Sequence, residues 1–133
     1  MHSFLFNTVS DVLSGPGTSG QLGEMAAAMG IERLFVVTDP GIVKFGLLQQ
    51  AVESLEANNI ALHTYSDIVA DPPESVVMSA VHAARNFGCD GVVGFGGGSS
   101  MDVAKLLAVL IKGEQQLSDI YGVDQITGGR LPL

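Results

Sequence analysis

Three consecutive glycines at 96–98, set between an apolar run and a longer apolar segment, constrain the fold of this chain more than any other feature. The short β-prone run 92–95 precedes them, and apolar residues then recur as far as Ile111. A run of this kind suits a buried parallel strand, and the segment after the glycines has the length of a helix of about three turns. The pattern predicts a strand, a glycine turn and a helix in that order.

The glycine turn is also expected to bind an anion. Ser99 and Ser100 are good N-cap residues, which places the helix start directly after the glycines. The first N–H groups of a helix lack partners, the helix dipole is positive at that end, and glycines let a phosphate approach the backbone. The loop is neither a Walker A loop nor a complete Gly-x-Gly-x-x-Gly motif, and three glycines also occur in plain tight turns. A nucleotide's phosphates are the predicted occupant.

The rest of the chain alternates strand-like and helix-like segments. Strands are predicted at 34–38 and 60–65, and helices at 20–29 (with Met25 and Met29 turned inward), 42–58 and 74–87. This order predicts an α/β fold, a Rossmann-like parallel sheet with helices on both faces in three layers. Residues 4–6 are expected to form an edge strand and 114–126 a polar loop, and 131–133 resemble the approach to another strand.

Composition excludes several classes of function. In 133 residues, 47% are hydrophobic and 15% charged, which is typical of one compact domain. The net charge of −8 argues against nucleic acid and against an anionic membrane as partners. No run reaches the roughly 20 apolar residues of a membrane span, and no signal peptide is expected. The one cysteine, Cys89, forms no internal disulfide, which fits a cytoplasmic protein.

A resemblance to a known family rests on several stretches. Residues 96–105 (Gly-Gly-Gly-Ser-Ser-Met-Asp-Val-Ala-Lys) resemble the glycine motif of the iron-containing (group III) alcohol dehydrogenases, which is Gly-Gly-Gly-Ser, two variable residues, Asp, one variable residue and Ala-Lys. The similarity extends to residues 36–47, 71–73 and 88–93. It covers most of the chain from about Leu22 onward.

The resemblance implies hydride transfer between a small alcohol or aldehyde and NAD, with iron or zinc polarising the alcohol oxygen. It implies that residues 1–133 form a partial N-terminal dinucleotide-binding domain, truncated before a helical domain. The family's metal ligands, one Asp and three His, are expected beyond Leu133. No catalytic residue and no metal ligand is therefore assigned here, and the 133 residues alone are expected not to oxidise alcohols. The resemblance leaves open whether the protein forms a homo-oligomer.

The candidate site residues follow from strand ends and from the resemblance. Asp39 follows a parallel strand, where a carboxylate can accept the ribose hydroxyls and repel a 2′-phosphate, which favours NAD over NADP; the alternative is an N-cap. Asp71 contacts the cofactor by resemblance, or else forms an Asx-turn. Asp102 supports the loop by resemblance, whereas an ion pair explains Lys105. The predicted cofactor-binding residues are Asp39, Asp71, Gly96, Gly97, Gly98, Ser99 and Asp102.

Two other readings of the chain remain open. One is a related enzyme of the same architecture, such as a glycerol dehydrogenase or a dehydroquinate synthase. The other is a non-catalytic nucleotide-binding or flavodoxin-like module. His2, His63 and His82 have no metal-ligand spacing with one another or with Cys89. Cys89 is interpreted as a small buried side chain rather than a nucleophile.

Overall fold

Three parallel strands form the centre of the computed structural model, which describes residues 13–112 and 129–133. The strands are β1 (Arg33–Val37), β2 (Ala61–Tyr65) and β3 (Gly91–Gly94). β1 lies in the middle of the order β2-β1-β3 and pairs in parallel with both neighbours. The predicted parallel sheet is confirmed.

Helices connect and cover these strands. A short 3₁₀ helix (Thr18–Gln21) precedes α1 (Leu22–Ala28); α2 (Pro40–Lys44) and α3 (Gln49–Ala57) join β1 to β2; α4 (Glu74–Phe87) joins β2 to β3; and α5 (Gly98–Lys112) follows β3. In the part of the chain that the structure describes, no helix has the length and apolar character needed to cross a membrane. The predicted edge strand at 4–6 and the loop at 114–126 lie outside the described residues.

The two faces of the sheet carry separate hydrophobic clusters. The cluster between the sheet, α4 and α5 includes Phe35, Val37, Val81, Val92 and Leu107. The cluster between the sheet, α1 and α3 includes Ala26, Leu34, Val36, Ala51 and Leu55. Successive strand side chains point to opposite faces, so a strand covered on both sides needs an unbroken apolar run. The predicted three-layer arrangement is confirmed.

The single helix predicted at 42–58 is wrong. α2 ends at Lys44 and α3 begins only at Gln49. Between them Gly46 adopts a φ of +70°, and the Leu47 N–H donates back to the Ile42 carbonyl at 3.1 Å. A left-handed glycine with such a bond closes a helix end, because it turns the chain off the right-handed path. The apolar periodicity continues through this break and so conceals it.

The inward orientation predicted for Met25 and Met29 is also wrong, since their side chains are 45% and 54% exposed. α1 instead contacts α3 through small residues. The Gly23 N–H donates to Ser54 Oγ at 2.8 Å, and a Cβ on Gly23 would overlap the Ser54 backbone. Ala26 is buried on the same side of α1. The close approach of the two helices leaves no room there for a methionine.

Residues 131 and 132 lie beside β3. The Leu131 N–H donates to the Ala108 carbonyl at 2.9 Å, and the Val92 N–H donates to the Pro132 carbonyl at 2.9 Å. The second bond lies on the edge of β3 opposite β1, because the Phe95 N–H, three residues along, donates to Val37 of β1. The terminal residues therefore continue the hydrogen bonding of the sheet without forming a strand of their own.

Cys89 is buried just before β3, with 9% of its surface exposed. Burial raises the pKa of its thiol, and the neighbouring Asp90 carboxylate raises it further, while a backbone hydrogen bond and Arg33 act in the opposite direction. A raised pKa keeps the thiol protonated, and the protonated form is a poor nucleophile. The interpretation of Cys89 as a buried, unreactive side chain is supported.

We expect native Cys89 to react with a disulfide reagent at pH 8 at least about 100-fold more slowly than the unfolded chain, because reaction requires local opening. The folded pKa lies above the unfolded one, so stability from the buried thiol is present at neutral pH and is lost as the pH rises through the unfolded pKa towards the folded one. Absorbance of the released thiolate, with and without denaturant, measures the rates. Cys89→Ser is the blank, and equal rates in the two states would contradict the expectation.

Candidate functional site

The candidate site lies at the carboxyl ends of β1 and β3, which are neighbours in the sheet. The chain leaves β1 towards the face that holds α3, and it leaves β3 towards the opposite face, which holds α5. Adjacent parallel strands whose connections diverge in this way open a crevice, and ligands of open α/β sheets bind there. Asp39 follows β1 and Gly96 follows shortly after β3, so the two residues flank this crevice.

The glycine loop (residues 96–98) shows why glycines occupy it. Gly96 has a φ of +138°, and a Cβ built on it would lie 3.1 Å from Asp39 Oδ2. By contrast, a Cβ on Gly97 or on Gly98 would meet no atom within 4 Å. The first glycine therefore lets the backbone pass close to Asp39, whereas the other two leave open space beside the backbone.

The start of α5 differs from the prediction. α5 begins at Gly98, so Ser99 and Ser100 lie in its first turn and neither is the N-cap. The Met101 N–H donates to the Gly97 carbonyl at 3.1 Å. The amides that precede Met101 in the first turn have no carbonyl one turn back in the helix to accept from them. These amides and the positive end of the dipole of a 15-residue helix meet at the crevice.

Ser100 carries an unpaired hydroxyl at the edge of the glycine loop. The residue is 1% exposed, and its Oγ has no hydrogen-bond partner among the described residues. A Cβ on Gly96 would lie 3.7 Å from this oxygen. Buried polar atoms are normally paired, so an open donor beside free amides is typical of a site completed by an anion or a water. The sequence suggested only a capping role for this serine.

Asp39 uses its two carboxylate oxygens differently. Oδ1 accepts the Ile42 N–H at 3.0 Å and so caps α2, which begins at Pro40. Oδ2 is the oxygen that lies beside Gly96. The N-cap alternative is therefore confirmed, and the same side chain still lines the crevice. Capping and ligand binding do not exclude each other here, because each engages a different oxygen.

Two adjoining cavities cover this edge of the sheet. The first, of about 230 Å³, is lined by Asp39, Ile68, Val69, Ala70, Gly97, Gly98, Ser99 and Ser100. The second, of about 380 Å³, is lined by Asp71, Pro72, Glu74, Val77, Ser99, Asp102, Val103 and Leu106. Ser99 lines both cavities. The structure thus brings the predicted cofactor-binding residues together: all except Gly96 line one of the cavities, and Gly96 adjoins Asp39.

Asp71 enters the larger cavity from the loop before α4. Its φ is +45°, an unfavourable conformation for a residue other than glycine, and one that the following Pro72 disfavours further. No hydrogen bond joins its carboxylate to another described residue, so the predicted Asx-turn alternative is not observed there. Strained backbone of this kind often accompanies a ligand site.

Asp102 lines the same larger cavity as Asp71, and 76% of its side chain is exposed. The Lys105 Nζ lies 3.7 Å from Asp102 Oδ1, as predicted for an i,i+3 pair, and an exposed pair of this kind contributes little to stability. None of the described residues that line either cavity is Lys or Arg. A phosphate bound here must therefore rely on amides and on the helix dipole.

Thr38 is a residue of the site region that the sequence did not single out. It is completely buried, its Oγ1 donates to the Phe95 carbonyl at 2.6 Å, and its N–H donates to the Tyr65 carbonyl at 2.9 Å. The sequence signal that could have identified Thr38 is a hydroxyl at the end of an apolar run. A hydroxyl that becomes buried requires a hydrogen-bond partner. The partner itself lies 57 residues away.

The histidines show no metal site in the described part of the chain. No group of three or more His, Cys, Asp or Glu residues there is arranged to hold a metal ion. His63 instead stacks on Phe35, with ring centroids 5.5 Å apart. His82 is exposed on α4, and His2 lies outside the described residues.

Comparison with known proteins gives a consistent result. Residues 10–133 match the family model described as iron-containing alcohol dehydrogenase. The long-chain-alcohol dehydrogenase 1 of Geobacillus thermodenitrificans is 38% identical over 116 residues, which cover 87% of this chain and 29% of that protein. This chain spans about a third of the length of the curated relatives it matches.

Solved structures agree with the sequence matches. NADH-dependent butanol dehydrogenase A of Thermotoga maritima superposes with a TM-score of 0.82 at 31% identity, over 91% of this chain and 31% of that chain. Sulfoacetaldehyde reductase of Bifidobacterium kashiwanohense, solved in complex with NAD⁺, superposes with a TM-score of 0.76 at 27% identity, over 89% of this chain and 31% of that chain.

Proposed function

The chain belongs to the iron-containing alcohol dehydrogenase family, and from that premise we propose that it binds NAD for an enzyme that transfers hydride between a small alcohol or aldehyde and this cofactor. The observation that carries the proposal is the meeting of the α5 N-terminus and the Asp39 carboxylate at one crevice. The nicotinamide supplies the hydride chemistry when bound, and these residues supply binding and orientation.

The residues at the crevice fit a dinucleotide. Gly97 and Gly98 leave open space next to amides at the start of α5, and Ser100 adds a buried hydroxyl that has no partner among the described residues. We assign pyrophosphate binding to these three residues together with Gly96 and Ser99, because helix N-termini with glycine loops bind phosphates. Asp39 receives the ribose hydroxyls through the oxygen that its capping bond leaves available. Asp71 and Asp102 border the cofactor from the second cavity.

Charge favours NAD over NADP at this site. Four acidic residues line one or the other of the two cavities, namely Asp39, Asp71, Glu74 and Asp102. None of the described lining residues is basic. The 2′-phosphate of NADP would add negative charge near Asp39 without a Lys or Arg to receive it. We therefore propose NAD as the cofactor, with Asp39 as the residue that discriminates.

The remaining parts of the enzyme are proposed to lie elsewhere. We assign to residues 1–133 the role of a dinucleotide-binding domain, and we place the iron or zinc ligands in a helical part of the protein outside them. The single cysteine and the net charge of −8 support a cytoplasmic protein that acts on a small molecule.

Asp39→Gly is expected to shift the preference between NAD⁺ and NADP⁺ by at least about 30-fold in favour of NADP⁺, since one ribose acceptor and one repelling charge are removed together. Isothermal titration calorimetry of the 133-residue chain with each cofactor measures the ratio of the two dissociation constants. Loss of the N-cap costs only a few tenths of a kcal/mol when the replacement is Gly.

Asp39→Asn is the matched control, because Asn is as good an N-cap as Asp but carries no charge. It is expected to relieve the repulsion of NADP⁺ while keeping α2 capped, so its cofactor ratio should fall between those of the wild type and Asp39→Gly. An unchanged ratio in both variants would remove Asp39 from the site.

A further inference from the structure

We propose that Thr38 is a positioning residue whose hydroxyl holds the glycine loop in register with Asp39, and that dinucleotide affinity depends on this hydroxyl. The inference rests on the proposed function and deepens it, because it names a residue that acts on the cofactor only through the loop. Thr38 itself is 0% exposed and does not line either cavity of the site.

The hydroxyl of Thr38 fixes one particular peptide unit. Its Oγ1 donates to the Phe95 carbonyl at 2.6 Å, and this carbonyl belongs to the same peptide unit as the Gly96 N–H. A peptide unit is planar, and the chain has no cis bond among the described residues, so the N–H points opposite to the C=O. A carbonyl held towards Thr38 therefore directs the first amide of the glycine loop away from Thr38.

Phe95 is held from two directions. Its N–H donates to the Val37 carbonyl at 2.8 Å, and its carbonyl accepts from Thr38, the residue directly after β1. Thr38 in turn donates its own N–H to Tyr65 at 2.9 Å. The end of β1 thus connects the end of β2 to the segment that leads from β3 into the glycine loop. Because Thr38 directly precedes Asp39, the same bonds set the distance between the carboxylate and the loop.

The glycine loop needs such a restraint more than an ordinary loop does. Residues 96–98 have no side chains to limit rotation of their peptide units, so the amides can adopt many orientations. Few packing contacts restrain the loop: the atom beside Gly96 belongs to the Asp39 side chain, and open space adjoins Gly97 and Gly98. The donor of this hydrogen bond, Thr38, is fully buried, which limits competition from water. The bond can therefore hold the loop in the conformation that binds before the cofactor arrives.

Thr38→Val tests the inference, since valine keeps the branched shape of threonine and replaces the hydroxyl with a methyl group that cannot donate. We expect hydrogen exchange of the Phe95 amide, which donates to the Val37 carbonyl directly before the loop, to accelerate about 10-fold or more. We also expect the dissociation constant for NAD⁺ to rise by about 10-fold or more. NMR-detected exchange of the cofactor-free 133-residue chain gives the first quantity, and titration calorimetry with NAD⁺ gives the second.

Two further variants separate positioning from stability. Thr38→Ser keeps the hydroxyl and is expected to retain the protection of the Phe95 amide and to bind NAD⁺ within about threefold of the wild type. Val81→Ala removes buried volume from α4 on the face of the sheet that α4 covers, so it lowers the melting temperature without touching the loop. Its affinity for NAD⁺ should not change. If Thr38→Val does not fold, Thr38→Ala is measured in its place.

The outcomes distinguish this inference from the proposed function. Failure of the wild-type chain to bind NAD⁺ would overturn the proposed function, and the exchange rates would still decide whether Thr38 holds the loop. If the wild type binds and Thr38→Val binds equally well, or if Val81→Ala at a matched melting temperature loses as much affinity, the positioning role is overturned. Loss of affinity in Thr38→Ser equal to that in Thr38→Val would also overturn it.

Discussion

Gly97→Val is expected to abolish measurable dinucleotide binding while leaving the fold intact. A Cβ at this position meets no atom within 4 Å, and Gly97 has no positive φ, so a larger side chain fits the cofactor-free protein. The same open space is where a pyrophosphate must approach the amides of the α5 N-terminus. A branched side chain there keeps the phosphate away from the backbone, and we expect at least about a 100-fold loss of affinity, or about 2.7 kcal/mol.

Titration calorimetry with NAD⁺ measures this loss, and thermal unfolding shows whether the fold is intact. Gly20→Val is a matched control, because a Cβ on Gly20 also meets no atom within 4 Å and the residue lies in the 3₁₀ helix before α1. The control is expected to bind as the wild type does. Wild-type affinity in Gly97→Val would refute the assignment of the glycine loop as the phosphate site.

Gly94→Ala is expected to reduce the free energy of unfolding by about 2–3 kcal/mol, which is a typical cost of overpacking a well-packed contact. The added Cβ would lie 2.8 Å from the Met101 Cα, 3.0 Å from the Ala104 Cβ and 3.2 Å from the Ser100 carbonyl oxygen. Two of these are backbone atoms of α5, so no side chain can turn away to relieve the clash. The helix must move off β3 instead, and the amides at its N-terminus move with it.

Urea denaturation of Gly94→Ala, compared with Gly20→Ala, measures the change in stability, because Gly20 has open space where Gly94 has none. Calorimetry on the folded fraction should also show weaker NAD⁺ binding. The two glycine substitutions are expected to differ in kind: Gly94→Ala loses stability and affinity together, whereas Gly97→Val loses affinity alone. Stability of Gly94→Ala equal to that of the control would contradict the close packing of α5 on β3.

Local chemistry was sufficient for much of the fold. α4 was predicted at its observed bounds, Glu74–Phe87. Neighbouring residues set both of its ends, since Pro73 precedes it and Gly88, with a φ of +73°, follows it. The strand predicted at 34–38 agrees with β1 within one residue at each end, since an unbroken apolar run has few other uses in an α/β domain. The break between α2 and α3 was missed, because the side-chain pattern at 42–58 continues across Gly46.

The candidate site, like the fold, was only partly predictable from the sequence. Its residues were recognisable individually, since an acid after a strand and glycines before a helix are local signals of ligand binding. Their proximity in space could not be predicted, because a pattern of strands and helices does not show which strands are neighbours in the sheet. The hydrogen bond from Thr38 to Phe95 and the open hydroxyl of Ser100 likewise depend on segments far apart in the chain or on burial that only packing creates.

The amino-acid order of this chain thus accounts for the kind of fold, for the residue types suited to a dinucleotide and for the glycines that admit a phosphate, because each of these depends on a few consecutive residues. Packing alone decided that β1 lies between β2 and β3. That placement brings Asp39 beside Gly96, and it arises because the helices before and after β2 cover opposite faces of the sheet. Which helix covers which face depends on apolar packing between segments far apart in the chain, and this packing is the physical reason that the crevice opens where it does.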